Sequence, residues 1–362
     1  MAARSLDRIK VSGFKSIRSM DLELRSLNVL IGANGSGKSN FIAIFKLLNQ
    51  IVENNLQAYV GTTGRADSFL HFGRKTTDRI SIRLTFAGDI DGYACVLVPT
   101  AEGTLIFQDE ECWWNKDGNI WDKQLGSGHK ETQLLSGGKR QGIATHVYYD
   151  LGRWKIYHFH DTSDNAKVKQ IGDISDNRVL RPDGSNLAAF LYLVKIKYPD
   201  HYQNIVDGVR LVAPFFDDFI LEPASLNPEE IRLEWKERGS DGYFNAFALS
   251  DGTLRFICLA TLLLQPSLPS IVLLDEPELG LHPYAITILA ELLRGASTKT
   301  QVIVSTQSVT LVNQFEPQDI IVVEREDNQS VFKHLEGVQM DEWLDDYGLG
   351  DLWEKNILGG RP

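Results

Sequence analysis

Apolar positions along the chain change period several times, and each change marks a different element. Near the start, Ile9-Lys10-Val11, Asp21 to Leu24 and Leu27 to Ile31 read as short strands separated by turn-forming residues. From Ser39 onward the spacing becomes helical, with Phe41, Ile44, Phe45, Leu48 and Ile51 on one face, so a strand leads through a glycine-rich loop into a helix. Strict alternation returns at Ile80, Ile82, Leu84 and Phe86. Similar runs at Tyr93 to Val98 and Trp154 to His160 extend it, and the middle of the chain predicts antiparallel sheet. Between these runs, residues 108–142 are rich in Gly, Lys, Asp and Trp without a period, and an irregular insertion is expected there.

Asn186 to Lys197 predicts a helix; Pro199, Pro214, Pro223 and Pro228 then punctuate a region of short elements before a strand at Ile231 to Lys236. This is a candidate second lobe. The last third alternates: helix from Gly252, strand Ile271 to Leu274, helix from Pro283, then strands Val302 to Ser305 and Ile320 to Val323. That is the grammar of a parallel α/β sheet.

Composition narrows the picture. With 362 residues, 43% hydrophobic and 23% charged, the chain is an ordinary globular one with room for one large domain or two connected lobes. Its longest apolar run, Phe256 to Leu264, falls short of the ~18 residues that span a bilayer and reads as a buried helix, so no membrane association is expected. No apolar leader follows Arg4, Asp7, Arg8 and Lys10, and a cytoplasmic location is expected. Cys95, Cys112 and Cys258 are too few and too scattered for a disulfide framework or a metal knuckle. A net charge of −11 opposes bulk attraction to nucleic acid, leaving DNA contact to a local basic patch.

Two segments carry chemistry. Gly32-Ala33-Asn34-Gly35-Ser36-Gly37-Lys38-Ser39 fits GxxxxGK[ST] between a strand and a helix. Its glycines let backbone N–H groups curl around phosphate oxygens, Lys38 neutralises β/γ charge, and Ser39 can ligate magnesium. Ile271-Val272-Leu273-Leu274-Asp275-Glu276 is an apolar strand delivering two carboxylates to its C-terminal edge. Asp275 is expected to hold magnesium through water, and Glu276 to polarise the water that attacks the γ-phosphate. ATP and Mg are thus the expected cofactors.

A third segment, Ala248-Leu249-Ser250-Asp251-Gly252-Thr253-Leu254-Arg255, opens an apolar helix 24 residues before Asp275. The order of phosphate loop, LS-x-G signature, Asp-Glu-Pro strand end and Ser305-Thr306-Gln307-Ser308 resembles the ATP-binding cassette ATPases of the SMC, RecF and OLD group. Within that group it is most similar to stand-alone bacterial AAA-family ATPases, OLD-like without a Toprim domain, associated with phage defence. Gly13-Phe14-Lys15-Ser16-Ile17, the Gly37-Lys38-Ser39-Asn40 variant and Glu278-Leu279-Gly280-Leu281-His282-Pro283 are further family-like stretches; the middle of the chain resembles the group poorly.

The resemblance implies an α/β fold: an ABC-type P-loop ATPase head with a mixed central sheet, an antiparallel β subdomain and an inserted helical lobe carrying the signature. It divides the chain into an N-terminal part of the head over 1–180, a signature lobe over 181–265 and a C-terminal part of the head over 266–362. It also implies that Ser250, Asp251 and Gly252 cap the γ-phosphate bound by a second subunit, so that two sites form across a homodimer. Asp251 departs from the second glycine of LSGGQ. Gln307 stands where transporters carry a switch histidine; it donates a hydrogen bond but carries no proton. Leu135-Ser136-Gly137-Gly138-Lys139 matches the signature letters better, yet lies more than 130 residues before Asp275 with no apolar helix after it.

Weaker features remain. His158 and His160 share one face of a strand, where the family's glutamine-containing loop would sit, without an evident third metal ligand. Trp113, Trp114 and Trp121 are read either as core or as a partner anchor. Three functions compete. A transporter motor is disfavoured by Gln307, and an SMC-like or RecF-like DNA-repair ATPase by the absence of coiled-coil arms and the acidic charge. The resemblance favours the sensor ATPase of a defence system. Some 55 residues follow Gln307, fewer than the ~100 of a folded nuclease, so the effector, a nuclease or other toxin, is expected on a separate chain.

Overall fold

A computed structural model of the chain describes residues 5–88, 90–116, 119–135, 142–335 and 347–360. Its strands are β1 (Leu6–Phe14), β2 (Ile17–Glu23), β3 (Leu27–Ile31), β4 (Ile80–Phe86), β5 (Asp91–Pro99), β6 (Leu105–Lys116), β7 (Asn119–Gly126) and β8 (Trp154–Tyr157). Five short ones follow, β9 (Gly172–Asp173), β10 (Phe216–Ile220), β11 (Glu230–Ile231), β12 (Glu234–Glu237) and β13 (Tyr243–Asn245). The last are β14 (Ile271–Asp275), β15 (Gln301–Ser305), β16 (Ile320–Glu326) and β17 (Gln329–His334). The main helices are α1 (Lys38–Val52), α2 (Leu56–Thr62), α3 (Ile143–Gly152), α4 (Leu187–Lys197), α5 (Pro199–Val212), α6 (Asp251–Leu264) and α7 (Pro283–Ser297).

Two six-stranded sheets organise the chain. One is antiparallel in the order β2-β1-β4-β5-β6-β7. The other runs β17-β16-β3-β15-β14-β8 and is parallel from β16 to β8, with β17 added antiparallel at its edge. Successive side chains of a strand point to opposite faces, and in the parallel sheet both faces are covered. Leu273, Ile303 and Ile321 enter a core shared with α1 and the antiparallel sheet. Val272, Leu274, Val302, Val304 and Val322 enter the core shared with α4 to α7. That is why these strands read as continuous apolar runs. Helix α1, between two sheets, buries Phe41, Ile42, Ile44, Phe45, Leu47 and Leu48 and so is apolar on more than one face.

Three expectations need correction. Trp154 to His160 is not antiparallel: β8 ends at Tyr157 and pairs in parallel with β14, because alternation fixes which face a residue takes but not which strand it joins. Residues 108–142 are not irregular throughout, since β6 and β7 extend the antiparallel sheet as far as Gly126. Trp113 is buried there, over Gly92 and under the Arg83 guanidinium at 3.8 Å, while Trp114 stacks on the half-exposed Trp121 at 5.2 Å. Pro199 does not break the chain into short pieces; it opens α5, its missing N–H falling where a helix has no intrahelical use for one. The antiparallel β17 beside β16 makes the central sheet a mixed one, as expected. Ser136 to Lys139 lie outside the described residues.

Candidate nucleotide site

The phosphate loop joins the end of β3 to the start of α1 and is threaded beneath the β16–β17 hairpin. Gly32 and Gly37 have φ of 155° and 122°, and a Cβ there would lie 2.2 Å from the Val323 carbonyl oxygen and 2.0 Å from Ser330 Oγ respectively, so no larger residue fits. The hairpin also grips the loop by hydrogen bonds: Ser330 Oγ donates to the Ser36 carbonyl at 2.5 Å and lies 2.7 Å from Ser16 Oγ, to which Asn40 Nδ2 donates at 2.7 Å. Asn34, Gly35 and Ser39 are exposed around the mouth of the loop.

Lys38 is 5% exposed and folds back on its own loop, its Nζ donating to the carbonyls of Gly32 and, at 3.1 Å, Ala33. Burial pushes its pKa below the ordinary lysine value, and the carboxylates of Glu276, Asp275 and Glu278 work in the opposite direction. The parallel sheet therefore brings the loop and the acidic strand end together.

At that end, Asp275 and Glu276 are half-buried. Glu276 has φ 44°, a conformation non-glycine residues seldom adopt, held by its N–H donating to the Ser305 carbonyl at 2.7 Å. Gln307 Nε2 donates to Glu276 Oε1, joining two residues 31 apart in sequence. Behind them Glu278 is buried; one carboxylate oxygen accepts from Thr306 Oγ1 at 2.5 Å and Gln307 N at 3.3 Å, and burial raises its pKa. Its other oxygen, with Ser36 Oγ and Ser305 Oγ, is buried without a hydrogen-bond partner. Such orphaned polar atoms, beside a cradle that any Cβ would fill, fit a site built for a phosphate chain and a hard cation with oxygen ligands.

The signature residues stand apart. Ser250 is the N-cap of α6, its Oγ accepting from Thr253 N at 3.2 Å, and both Ser250 and Asp251 are exposed. Among the described residues, no hydrogen bond joins them to residues 32–39. Gly252 lies against the turn after β14, where a Cβ would come within 2.5 Å of the Gly280 carbonyl oxygen.

Two further residues belong to this region. Arg255 is buried on α6 and donates to three main-chain carbonyls: Phe159 at 3.0 Å, His160 at 3.1 Å, and Leu279. His160 Nε2 lies 2.7 Å from the Asp275 carbonyl oxygen, which can only accept, so that nitrogen carries the proton. Sequence reading missed Arg255 because an arginine one turn into an apolar helix looks like a surface residue; a charge inside the otherwise apolar run Leu254 to Leu264 was the available signal. His158 Nε2 is buried without a partner.

Comparison with known proteins agrees with this architecture. A family profile described as an AAA ATPase domain matches residues 5–151, and one described as "AAA domain, putative AbiEii toxin, Type IV TA system" matches residues 149–313. A "Putative ABC transporter ATP-binding protein" of Methanosarcina acetivorans is 34% identical over 172 residues, 44% of this chain and 57% of that protein, so the matched stretch spans little more than half of the relative. Among solved structures, the SMC head bound to the C-terminal winged-helix domain of ScpA superposes with a TM-score of 0.62 at 17% identity, covering 91% of this chain and 98% of the other. An SMC head with an extended coiled coil, bound to the C-terminal domain of ScpA derived from Pyrococcus furiosus, gives 0.57 at 17% identity, covering 94% and 99%. At that identity the likeness is one of fold. The fold is that of the ABC-type SMC head, and the two profiles, each matching less than half of the chain, are both those of AAA domains.

Proposed function

We propose that two copies of the chain close around two ATP molecules and hydrolyse them with magnesium. The observation that carries this reading is the convergence of Lys38 with Asp275, Glu276 and Glu278, with Gln307 hydrogen-bonded to Glu276. Backbone N–H groups of residues 32–39 bind the β- and γ-phosphates, and Lys38 exchanges its loop carbonyls for phosphate oxygens. Ser39 and Asp275 hold the magnesium, which offsets phosphate charge. Glu276 polarises the attacking water, and Gln307 holds that carboxylate in place. Ser250 and Asp251, exposed at the N-terminus of α6, cap the γ-phosphate on the second copy together with the partly buried Gly252.

Glu276→Gln keeps the shape and removes the carboxylate. Light scattering after size-exclusion chromatography is expected to show ATP-dependent dimers of this variant that persist, because γ-phosphate is not lost. A variant that binds ATP and stays monomeric in it refutes the composite site.

The cellular role we favour is a cytoplasmic regulatory ATPase of a phage-defence system, controlling a separate effector. It is supported by the profile over residues 149–313, whose description names a toxin of a toxin–antitoxin system. Likeness to SMC heads favours a second reading, an SMC-like ATPase acting on DNA. ATP turnover stimulated by duplex DNA, with binding that weakens steeply in salt, selects the second; turnover indifferent to DNA selects the first.

A further inference from the structure

We propose that Arg255 and His160 are positioning residues that tie the signature helix to the acidic strand end of the same chain, and so couple the two ATP sites of a dimer. This rests on the composite-site reading above. In such a dimer α6 senses the nucleotide held by the partner, whereas Asp275 and Glu276 act on the chain's own nucleotide. Something must connect them if hydrolysis at one site is to depend on occupancy of the other.

The connection is built from two short segments that flank the acids. One is the strap after β8, where Arg255 holds the carbonyls of Phe159 and His160 and the His160 imidazole reaches the Asp275 carbonyl at 2.7 Å. The other is the turn after β14, where Arg255 holds the Leu279 carbonyl and Gly252 leaves room for the Gly280 carbonyl within 2.5 Å of where its Cβ would be. A displacement of the N-terminus of α6 is therefore carried to main chain on both sides of Asp275-Glu276. Packing alone does not call for this arrangement. A buried guanidinium is costly where an aliphatic residue would fill the same volume, and only a rigid fork serves carbonyls from two segments at once.

The test is steady-state ATP hydrolysis with Hill analysis, together with binding of a fluorescent ATP analogue, on the wild-type chain, Arg255→Lys, His160→Ala and His160→Gln. His160 is exposed, so its variants should fold even if Arg255→Lys does not. The wild type is expected to turn over with a Hill coefficient above 1. His160→Ala is expected to keep analogue affinity and ATP-dependent dimerisation, lose about tenfold in kcat, the rate equivalent of one ordinary hydrogen bond, and fall to a Hill coefficient near 1. His160→Gln returns an N–H donor at similar reach and restores both.

Wild-type kcat and cooperativity in His160→Ala, or a loss that His160→Gln does not repair, overturns the coupling. A wild type that hydrolyses ATP with a Hill coefficient of 1 also overturns it while leaving the composite site standing. A wild type that does not hydrolyse ATP removes the reading beneath it, and the coupling with it.

Discussion

Gly252→Ala isolates one contact. Position 252 sits in the first turn of α6 with an ordinary helical backbone, so the methyl group introduces no backbone strain of its own. It would instead lie 2.5 Å from the Gly280 carbonyl oxygen, where real Cβ atoms essentially never come under 3.0 Å, and the contact must open by about half an ångström. Neither side yields easily. The neighbour is backbone, and α6 is buried from Leu254 through Leu263. Overpacking of this kind costs about 1–3 kcal/mol, against about 1 kcal/mol gained by alanine over glycine in a helix, leaving a net loss of about 0–2 kcal/mol. Gly295→Ala in α7 is the control, because nothing lies within 4 Å of a Cβ there and only the helical gain remains. Urea unfolding should move the two midpoints in opposite directions, Gly252→Ala down and Gly295→Ala up, with unchanged slopes. Because the helix that moves carries Ser250, ATP turnover of Gly252→Ala should fall as well. Stabilisation of both variants alike would refute the close approach.

Lys38→Ala should abolish binding of ATP measured by calorimetry, since the only loop cation is removed; undiminished affinity would refute the site. Ser250→Arg should leave ATP binding intact and stop hydrolysis, whereas Ser136→Arg should leave turnover largely unchanged, and the reverse outcome would move the signature to residues 135–139. His158 is pushed down to about 4, chiefly by burial, with Lys46 and His160 adding repulsion. A depressed folded value means that its stabilisation is complete above the ordinary histidine pKa of 6.5 and is lost as pH falls toward 4, so His158→Gln should flatten that part of a plot of urea midpoint against pH. An unaltered plot would show that His158 does not titrate in the fold.

What the sequence alone determined is local and contiguous. The phosphate loop is eight consecutive residues whose glycines, lysine and serine each answer a requirement of their own backbone position, as the φ values of Gly32 and Gly37 show. The acidic end of β14 was readable because burial on both faces forces an apolar run that stops where the carboxylates begin. The segment Ala248 to Arg255 was readable as the opening of an apolar helix, which the structure starts at Asp251 with Ser250 as its N-cap. What tertiary structure decided is partnership at a distance. Alternation in Trp154 to Tyr157 gives a strand its faces, but the neighbour, β14, lies more than a hundred residues away and is chosen by packing. The period of β6 and β7 is hidden because register shifts interrupt β6 near Asp109 and Glu110 and put the charged Glu110 at a buried position. The charge of Arg255 inside an apolar run signals that it is unusual but not what it binds, since its carbonyl partners lie 24, 95 and 96 residues off and a carbonyl is present in every residue. Side-chain type and spacing encode backbone conformation and burial, whereas hydrogen bonds to main chain across the fold depend on where the sheets bring the chain.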